Sequence, residues 1–395
     1  MKIAVVHNPY QQPGGEDAVV AAETNLLESR GHKIVRYARS NDAIASMSRP
    51  KQLLMVKNLI HSARSKTELY ALLQAEKPDI VHVHNTFMTI SPSVFEACQE
   101  AGIPVVQTLH NYRLLCPAWS LSRNGMVCEE CMDHTLWRSV WHGCYRNSRL
   151  MTAAVALMLQ VHRVKGTWNE LVDDYVALTN FARDKFIEGG LPRSAIHVKP
   201  NFLQNDPGCR NQAGRFMLFI GRLSPEKGLP VLLDGWKKLR TRVPLVIMGD
   251  GPLRESLEAE VQASGLPDVT LTGWKSRAEI LAAVKQASAV VLPSVWYEGF
   301  PMTMVEAFAC GTPVICSKLG GLAEIVEDGL TGLHFRPGDA DDLASKVDWA
   351  LQHPAALTAM GRAARNEFEK KYTAGTNYRL LLQIYERSIA RAARQ

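Results

Sequence analysis

Short apolar runs alternate with amphipathic stretches along most of the chain. The first runs are rich in Val and Ile and span Lys2–Val6, Lys33–Tyr37, Ile80–His84 and Val105–Leu109. Strands that helices cover on both faces of a parallel sheet have this composition. An amphipathic stretch at Asp17–Ser29 predicts a helix between the first two strands. The pattern therefore predicts a doubly wound α/β domain.

The second half of the chain repeats this pattern. Its predicted strands are Phe216–Ile220, Leu245–Met248, Val269–Thr272, Ala289–Leu292 and Pro313–Cys316. The segment Lys199–Gly214 is rich in Pro, Asn, Asp and Gly, which favours a hinge between domains. We expect a first domain over residues 1–200, with a cysteine-containing insertion at about 116–166, and a second over 201–370. Residues 371–395 are predicted to form a helix that packs back on the first domain.

Two cations stand on a glycine-bounded loop after the first strand of the second domain. The loop reads GRLSPEKG at 221–228 and carries Arg222 and Lys227. An Arg fork and a Lys ammonium at a strand's carboxyl end can hold a diphosphate, and the following helix N-terminus adds backbone donors. Two solvated loop cations are the alternative interpretation.

Two acids follow in EGFPMTMVE at 298–306. Glu298 ends a loop after a buried strand, and Pro301 suits the first turn of a helix. Glu306 then lies about one and a half turns inside that helix. Carboxylates so placed can accept hydrogen bonds from the hydroxyls of a nucleotide-sugar. An N-cap acid with an exposed helical Glu is the alternative, but the apolar neighbours of Glu306 indicate a half-buried carboxylate that needs polar partners.

Length and charge narrow the class of protein. The 395 residues suit two domains with separate cores. The net charge is +6, and no dense Lys/Arg tract with interleaved aromatics indicates nucleic-acid binding. The start of the chain is too short an apolar run for a signal peptide, and Leu150–Val161 is shorter than the ~20 residues that span a bilayer. We expect a cytoplasmic protein, either free or peripherally bound to the inner face of the plasma membrane, since a mild positive charge suits solubility or an anionic surface.

In their order along the chain, these motifs resemble the family-four glycosyltransferases. The matching motifs are GRLxxxKG, GDGP at 249–252, two glutamates eight residues apart within EGFP…EAFACGTPV, and Gly320-Gly321. The first domain matches more loosely, through Gly14-Gly15 and His110. The resemblance implies the GT-B fold, with two Rossmann-like domains facing each other across a deep cleft. It also implies sugar transfer with retention of anomeric configuration.

The resemblance further implies a role for each matching residue. Arg222 and Lys227 would hold the donor diphosphate and stabilise the charge of the leaving nucleotide, without a catalytic metal. Glu306 would accept from the ribose hydroxyls, and Glu298 from the donor sugar. The remaining donor-binding positions would be Gly14, Gly15 and Gly251 at close backbone approaches, Trp274 at the nucleobase, and Gly299, Phe300, Pro301 and Met302 through their backbone.

His110 follows a predicted strand of the first domain. By resemblance, it would hydrogen-bond the sugar 6-hydroxyl or steer the acceptor, and a purely structural histidine is the alternative. The family often has His-Asp where this chain has His110-Asn111. No carboxylate of the first domain stands out as a nucleophile, so we favour a front-face displacement in which the leaving phosphate assists deprotonation of the acceptor.

Four cysteines cluster in the insertion. Cys128 and Cys131 have zinc-type spacing, and Cys116 and Cys144 can complete a tetrahedron around a structural zinc. Buried free thiols explain the same residues.

We interpret Asp173-Asp174 as a solvated edge, and Asp339 in DAD as a helix N-cap rather than a metal ligand.

The combined expectation is a metal-independent, retaining hexosyltransferase that needs no cofactor for catalysis. Its donor would be a nucleotide-diphosphate-sugar and its acceptor a saccharide. Family analogy and the basic charge favour a lipid-linked acceptor in polysaccharide, exopolysaccharide or glycolipid synthesis. A nucleotide-sugar epimerase of the same fold would turn over donor without acceptor. A catalytically silent sugar-nucleotide-binding protein is the third possibility, and the intact cations and acids count against it.

Overall fold

The computed structural model describes residues 1–9, 14–39, 56–133, 135–212 and 214–394, without the side chain of Asp133. The chain divides into two compact units. The first comprises Met1–Leu121, Cys128–Gln204 and Ala374–Gln395, and the second comprises Ser122–Val127 and Asn205–Thr373. Within the described ranges, no helix combines the length and apolar character needed to cross a membrane.

The first unit is built on six parallel strands in the order β2-β1-β3-β4-β7-β8. The strands are β1 (Lys2–His7), β2 (Lys33–Ala38), β3 (Ile80–Asn85), β4 (Val105–Leu109), β7 (Asp174–Ala177) and β8 (Ile196–Val198), and a hairpin of β5 (Ser122–Arg123) and β6 (Met126–Val127) belongs to the second unit. Every residue of β3 and β4 is buried, as expected of inner strands in a doubly wound sheet.

Helices connect these strands. They are α1 (Gly15–Ser29), α2 (Ala63–Glu76), α3 (Ser93–Ala101), α4 (Glu130–Asp133), α5 (Trp137–His142), α6 (Arg149–Val164), α7 (Thr167–Glu170) and α8 (Asn180–Glu188). Helix α6 begins after Ser148, whose hydroxyl caps the amide of Met151. Its inner face buries Val155, Ala156 and Leu159, while Leu150 and Val164 near its ends are exposed.

The C-terminal helix, Ala374–Ala392, also packs on the sheet of the first unit, where Leu381 and Tyr385 join its core. It supplies partners to Asp174, whose carboxylate accepts hydrogen bonds from Ser388 at 2.6 Å and from Arg391 at 2.8 Å. Asp174 is fully buried, so its interpretation as a solvated residue is wrong. The partners that make this burial tolerable lie more than 200 residues further along the chain.

The second unit has its own sheet of six parallel strands, in the order β11-β10-β9-β12-β13-β14. The strands are β9 (Phe216–Ile220), β10 (Leu245–Met248), β11 (Val269–Gly273), β12 (Ala287–Leu292), β13 (Val314–Ser317) and β14 (Gly332–Phe335). Their apolar side chains, among them Phe219, Ile247 and Val291, form one core with the covering helices. The prediction of two doubly wound α/β domains is confirmed.

Helices also connect the strands of the second unit. They are α9 (Leu229–Lys237), α10 (Arg254–Ala263), α11 (Arg277–Gln286), α12 (Met302–Ala309), α13 (Gly320–Ile325), α14 (Ala340–Gln352) and α15 (Pro354–Lys371). Ser276 and Glu279 form a capping box at α11. The carboxylate of Asp339 accepts from the amide of Asp342 at 2.9 Å, so the predicted N-cap of α14 is confirmed.

Candidate functional site

The predicted donor-binding residues of the second unit all follow the carboxyl ends of neighbouring strands. Arg222 and Lys227 lie after β9, Gly251 after β10, Trp274 after β11, and Glu298 after β12. In open parallel sheets, ligands bind at this edge. The fold therefore gathers at one edge of one sheet groups that are up to about 75 residues apart in the sequence.

The loop that carries Arg222 packs directly on the GDGP loop after β10. The amide of Leu223 donates to the carbonyl of Asp250 at 2.9 Å, and the amide of Leu253 donates to the carbonyl of Leu223 at 2.9 Å. A Cβ atom on Gly251 would lie 2.5 Å from the Leu223 carbonyl oxygen. Packing alone therefore requires glycine at 251, and its predicted contact with the donor stays a prediction. Arg222 itself is exposed beside this junction.

Lys227 and Glu298 form an ion pair. The Lys227 ammonium donates to both carboxylate oxygens of Glu298, at 2.8 and 3.0 Å, and the Ser294 hydroxyl donates to Oε1 at 2.6 Å. Glu298 is only 6% exposed, whereas Lys227 remains partly accessible. Lys227 also lies 5.5 Å from the centre of the Trp296 ring, a cation–π contact. The structure thus joins one predicted cation to one predicted acid.

Glu306 lies in α12 with its side chain 12% exposed. Burial raises the pKa of its carboxyl group, although the nearby Arg277 guanidinium opposes the shift. The Arg277 Nε atom lies 3.5 Å from Glu306 Oε1. The sequence did not indicate Arg277, because the two residues meet only through packing of α11 against α12.

The segment before α12 combines a buried side chain with an uncapped helix start. The Phe300 ring is buried and meets the ring of Tyr372 edge-on at 5.9 Å. Pro301 is the N-cap and offers no side-chain hydrogen bond, while Gly299 and Met302 are partly exposed. Any contribution of this segment to binding would therefore come from its backbone. Trp274 follows the edge strand β11 and has 76% of its surface exposed.

In the first unit, Gly14 and Gly15 begin α1. The Gly14 amide donates to Asp17 Oδ2 at 2.8 Å, and Asp17 Oδ1 contacts Nε2 of His7 at 2.8 Å. A Cβ atom on Gly15 would meet nothing within 4 Å in the described part of the chain. Packing therefore does not require glycine at 15, in contrast to Gly251. The preceding Pro13 lies outside the described residues.

His110 follows β4 and is partly exposed. Its Nε2 atom lies 3.0 Å from Nδ1 of His84, and the two rings stack with centroids 5.3 Å apart. Burial of the imidazole lowers the pKa of His110 to about 3, despite the opposing charge of Glu23. His110 is therefore a neutral imidazole near neutral pH.

A buried ion pair between Lys199 and Glu23 lies beside the His84 ring. Lys199 donates to Glu23 Oε2 at 2.6 Å, and Glu23 Oε1 lies 3.3 Å from His82 Nδ1 and 3.7 Å from His84 Nε2. Burial opposes ionisation of Glu23, but the Lys199 charge and the neighbouring histidines lower its pKa. None of these four residues was indicated by the sequence, because they come from α1, β3 and a segment 176 residues after Glu23.

The ligand atoms of Glu23, His82 and His84 lie within 4.8 Å of one another, a geometry compatible with a metal ion. The site already contains a cation, however, because the Lys199 ammonium binds Glu23. The two nitrogens of His82 also contact the Tyr385 hydroxyl at 2.6 Å and the Thr108 hydroxyl at 2.7 Å. A metal would have to displace these partners, so we assign no metal here.

None of the four cysteines of the insertion forms a disulfide. The thiols of Cys116 and Cys131 are hydrogen-bonded. This bond and those from the amides of Ala118 and Leu121 lower the pKa of Cys116 to about 6, although burial opposes the shift. Amide donors directed at a sulfur atom stabilise a thiolate, the form that binds metals.

The other two predicted zinc ligands lie near the same thiol. The hydrogen bond to Cys116 and burial raise the pKa of Cys131, and Cys144 and Cys128 are close enough to add to this shift. Among the described residues, the cysteines are not a second group with ligand atoms within 4.8 Å. The predicted zinc therefore stays a prediction.

The chain matches two glycosyltransferase families in succession. Residues 13–205 match "Glycosyltransferase Family 4", and residues 207–367 match "Glycosyl transferases group 1". Over 313 residues, the chain is 31% identical to an uncharacterized glycosyltransferase of Methanocaldococcus jannaschii, MJ1607, with 76% of this chain and 73% of that protein aligned.

Two further relatives match over shorter stretches. The uncharacterized glycosyltransferase MJ1178 of the same archaeon is 35% identical over 158 residues, which are 40% of this chain and 44% of the relative. The lipopolysaccharide 1,2-N-acetylglucosaminetransferase of Salmonella typhimurium is 33% identical over 190 residues, 42% of this chain and 50% of the relative. The chain thus spans about half the length of these two relatives.

The fold is similar to that of Anabaena HepE, solved in complex with UDP. The TM-score is 0.69 at 18% identity, and the match covers 97% of this chain and 99% of HepE. The fold, the two family matches and the MJ1607 alignment define a class, the GT-B glycosyltransferases. The chain belongs to glycosyltransferase family four, as the motifs around Arg222 and Glu298 predicted. The relatives give no support to the epimerase or silent-partner alternatives.

Proposed function

We propose that this protein transfers a sugar from a nucleotide-diphosphate donor to a saccharide acceptor, with retention of anomeric configuration and without a catalytic metal. One observation carries the proposal: Arg222, Lys227, Glu298 and Glu306 come from loops and a helix at the carboxyl edge of one parallel sheet. Two cations and two acids at such an edge match the charges and hydroxyls of a nucleotide-sugar.

The cations would act on the leaving group. As the bond between the anomeric carbon and the phosphate oxygen breaks, negative charge grows on the diphosphate, and Arg222 and Lys227 would stabilise it. The acceptor oxygen forms the new bond on the same face, and its proton passes to the departing phosphate oxygen. Glu298 is bound by Lys227 and Ser294, so we assign it to holding hydroxyls and positioning Lys227 rather than to nucleophilic attack.

Donor binding is tested by thermal unfolding with a panel of nucleotides and nucleotide-sugars. The UDP complex of HepE makes UDP and UDP-sugars the first probes. A ligand at 100 times its Kd adds about 2.7 kcal/mol to the free energy of unfolding. Transfer is then measured with the stabilising donor and saccharide acceptors. Donor turnover that needs no acceptor would favour the epimerase alternative, and binding without turnover would favour a silent protein.

We further propose that the acceptor is lipid-linked and that the first unit contacts an anionic membrane. The support is an exposed patch, here called the tryptophan patch, formed by Trp137, Trp141 and Leu150, which are 47, 74 and 81% exposed. Arg149 lies over the Trp141 ring at 5.5 Å. Aromatic rings beside cations suit the interface of an anionic bilayer.

Vesicle flotation tests this contact. We expect the protein to float with vesicles that contain phosphatidylglycerol, and less with phosphatidylcholine alone. Trp141→Ala combined with Leu150→Ala should reduce flotation, whereas Trp349→Ala, an exposed tryptophan of the second unit, should not. Equal flotation of both variants would contradict the membrane role of the patch.

We also propose that Cys116, Cys128, Cys131 and Cys144 bind a structural zinc. The amide donors around the Cys116 sulfur and the proximity of the other thiols to Cys131 support this. The insertion contains short helices and a two-strand hairpin, and a metal would stabilise such a segment.

A further inference from the structure

The contact between His84 and His110 requires one ring nitrogen to donate and the other to accept. The two atoms, His84 Nδ1 and His110 Nε2, lie 3.0 Å apart. Burial lowers the pKa of His84 well below its ordinary value and that of His110 to about 3, so each neutral ring carries one N–H. Two arrangements of these protons satisfy the contact. They differ at His110 Nδ1, which carries a proton in one arrangement and a lone pair in the other.

Glu23 selects between the two arrangements. Its Oε1 atom is buried, lies 3.7 Å from His84 Nε2, and has no hydrogen-bond partner within the described ranges. A carboxylate only accepts, so it favours a proton on His84 Nε2 and disfavours a lone pair there. With the proton on Nε2, His84 Nδ1 must accept, and His110 must donate from Nε2.

The surrounding groups maintain the negative charge of Glu23, which selects the tautomer of His84. Lys199 donates to the other oxygen of Glu23 at 2.6 Å and keeps it ionised in a fully buried position. His82 contacts the same oxygen as His84 but also bonds Tyr385 and Thr108. His7 meets the His84 ring edge-on at 6.2 Å and is itself paired with Asp17. No second carboxylate therefore faces the nitrogens of His84 within the described residues.

We propose that Glu23 and His84 are positioning residues that hold His110 as the Nε2–H tautomer. Its Nδ1 atom, which makes no hydrogen bond in the described part of the chain, is left as an acceptor for a hydroxyl of the sugar. This inference rests on the proposed function for the identity of that hydroxyl, but the tautomer itself does not.

The tautomer is measured by nitrogen NMR of the whole chain with labelled histidine. His110→Gln assigns the His110 signals by their loss. We expect a protonated Nε2 and an unprotonated Nδ1 for His110 near neutral pH. A protonated Nδ1, or an imidazolium, would overturn the proposal whether or not the protein transfers sugar. The tautomer is read from the wild-type spectrum once the His110 signals are assigned, and His110→Asn provides the same assignment if His110→Gln fails to fold.

The arrangement in which Glu23 sets the tautomer of His84, and His84 that of His110, is here called the relay. Glu23→Gln should reverse it. Lys199 would hold the amide oxygen, so the amide N–H would face His84 Nε2 and turn it into an acceptor. His84 would then donate from Nδ1, and the proton of His110 would move to Nδ1. Asp174→Asn is the matched control, since this buried acid of the same unit also has a cationic partner but does not contact His110.

We expect Glu23→Gln to reverse the His110 tautomer and to lower kcat/KM for transfer by about 10-fold or more, the scale of loss when a carboxylate that orients a metal-bound imidazole is replaced. The Kd for a nucleoside diphosphate should not change. An unreversed tautomer in a folded variant would overturn the relay. A reversed tautomer with unchanged transfer would show that His110 does not accept a sugar hydroxyl. A wild-type chain with the expected tautomer but no transferase activity would refute the proposed function and leave the relay intact.

Discussion

Replacement of Lys227 by alanine tests the ion pair with Glu298. The change leaves a carboxylate that is 6% exposed with the Ser294 hydroxyl as its remaining described partner. Loss of one member of a fully buried pair costs about 3–5 kcal/mol. The Lys227 side chain is 23% exposed, so water relieves part of this cost, and we expect about 1–3 kcal/mol. At roughly 2–4 °C per kcal/mol for a unit of this size, Tm should fall by about 2–12 °C.

Transfer should decrease far more than stability. Lys227→Ala removes a charge that stabilises the leaving diphosphate, so kcat/KM should fall by about 100-fold or more below the unfolding temperature of the variant. Lys237→Ala is the control, because Lys237 forms ion pairs with Asp234 and Glu260 in the same unit, away from the strand ends. Its transfer rate should stay close to wild type. Stopped assays with the donor identified by thermal unfolding provide the rates.

The two readouts separate a structural from a catalytic role. A lower Tm with near-normal transfer would show that Lys227 only neutralises Glu298, and the diphosphate assignment would fail. An unchanged Tm would refute the reasoning about the buried carboxylate. Lys227→Arg retains the positive charge, so it should recover more of the stability than of the transfer rate.

Three further predictions concern other residues. Trp274→Ala should weaken nucleotide binding by about 1–3 kcal/mol in calorimetry through loss of base stacking, while Trp349→Ala should not. Because burial raises the pKa of Glu306, donor affinity should fall as pH decreases through that pKa, and Glu306→Gln should remove this dependence. The raised pKa also makes the free energy of unfolding depend on pH. Relative to the Gln variant, the Glu306 carboxyl contributes its full stabilisation below its ordinary pKa and loses that stabilisation as pH rises through the raised pKa. Elemental analysis should find about one zinc per chain and less in Cys131→Ser, with exposed Cys209→Ser as control, and a metal-free but fully folded protein would contradict the zinc proposal.

Much of the second unit could be predicted from the sequence. Its strands β9 to β13 and the loops at their carboxyl ends could be placed from short apolar runs bounded by turn residues, whereas β14 was missed. Strand β7 was missed because it is short and begins with Asp174, a residue that is depleted in strands and needs partners from the C-terminal helix.

The pairings within the sites could not be predicted in the same way. Lys227 meets Glu298 across 71 residues, and Glu23 meets Lys199 across 176. Local periodicity shows which residues face a core but not which polar groups meet there. His110 stood out because it follows a buried strand, whereas His84, which contacts it, lies inside a strand and resembles any other buried residue.

A crystal structure with a bound nucleoside diphosphate tests the central claim most directly. We expect both Arg222 and Lys227 within hydrogen-bond distance of the phosphate oxygens, and the Glu306 carboxylate on the ribose hydroxyls. A diphosphate bound away from the carboxyl edge of the β9–β12 sheet, or one that contacts neither cation, would contradict the assignment of the donor site.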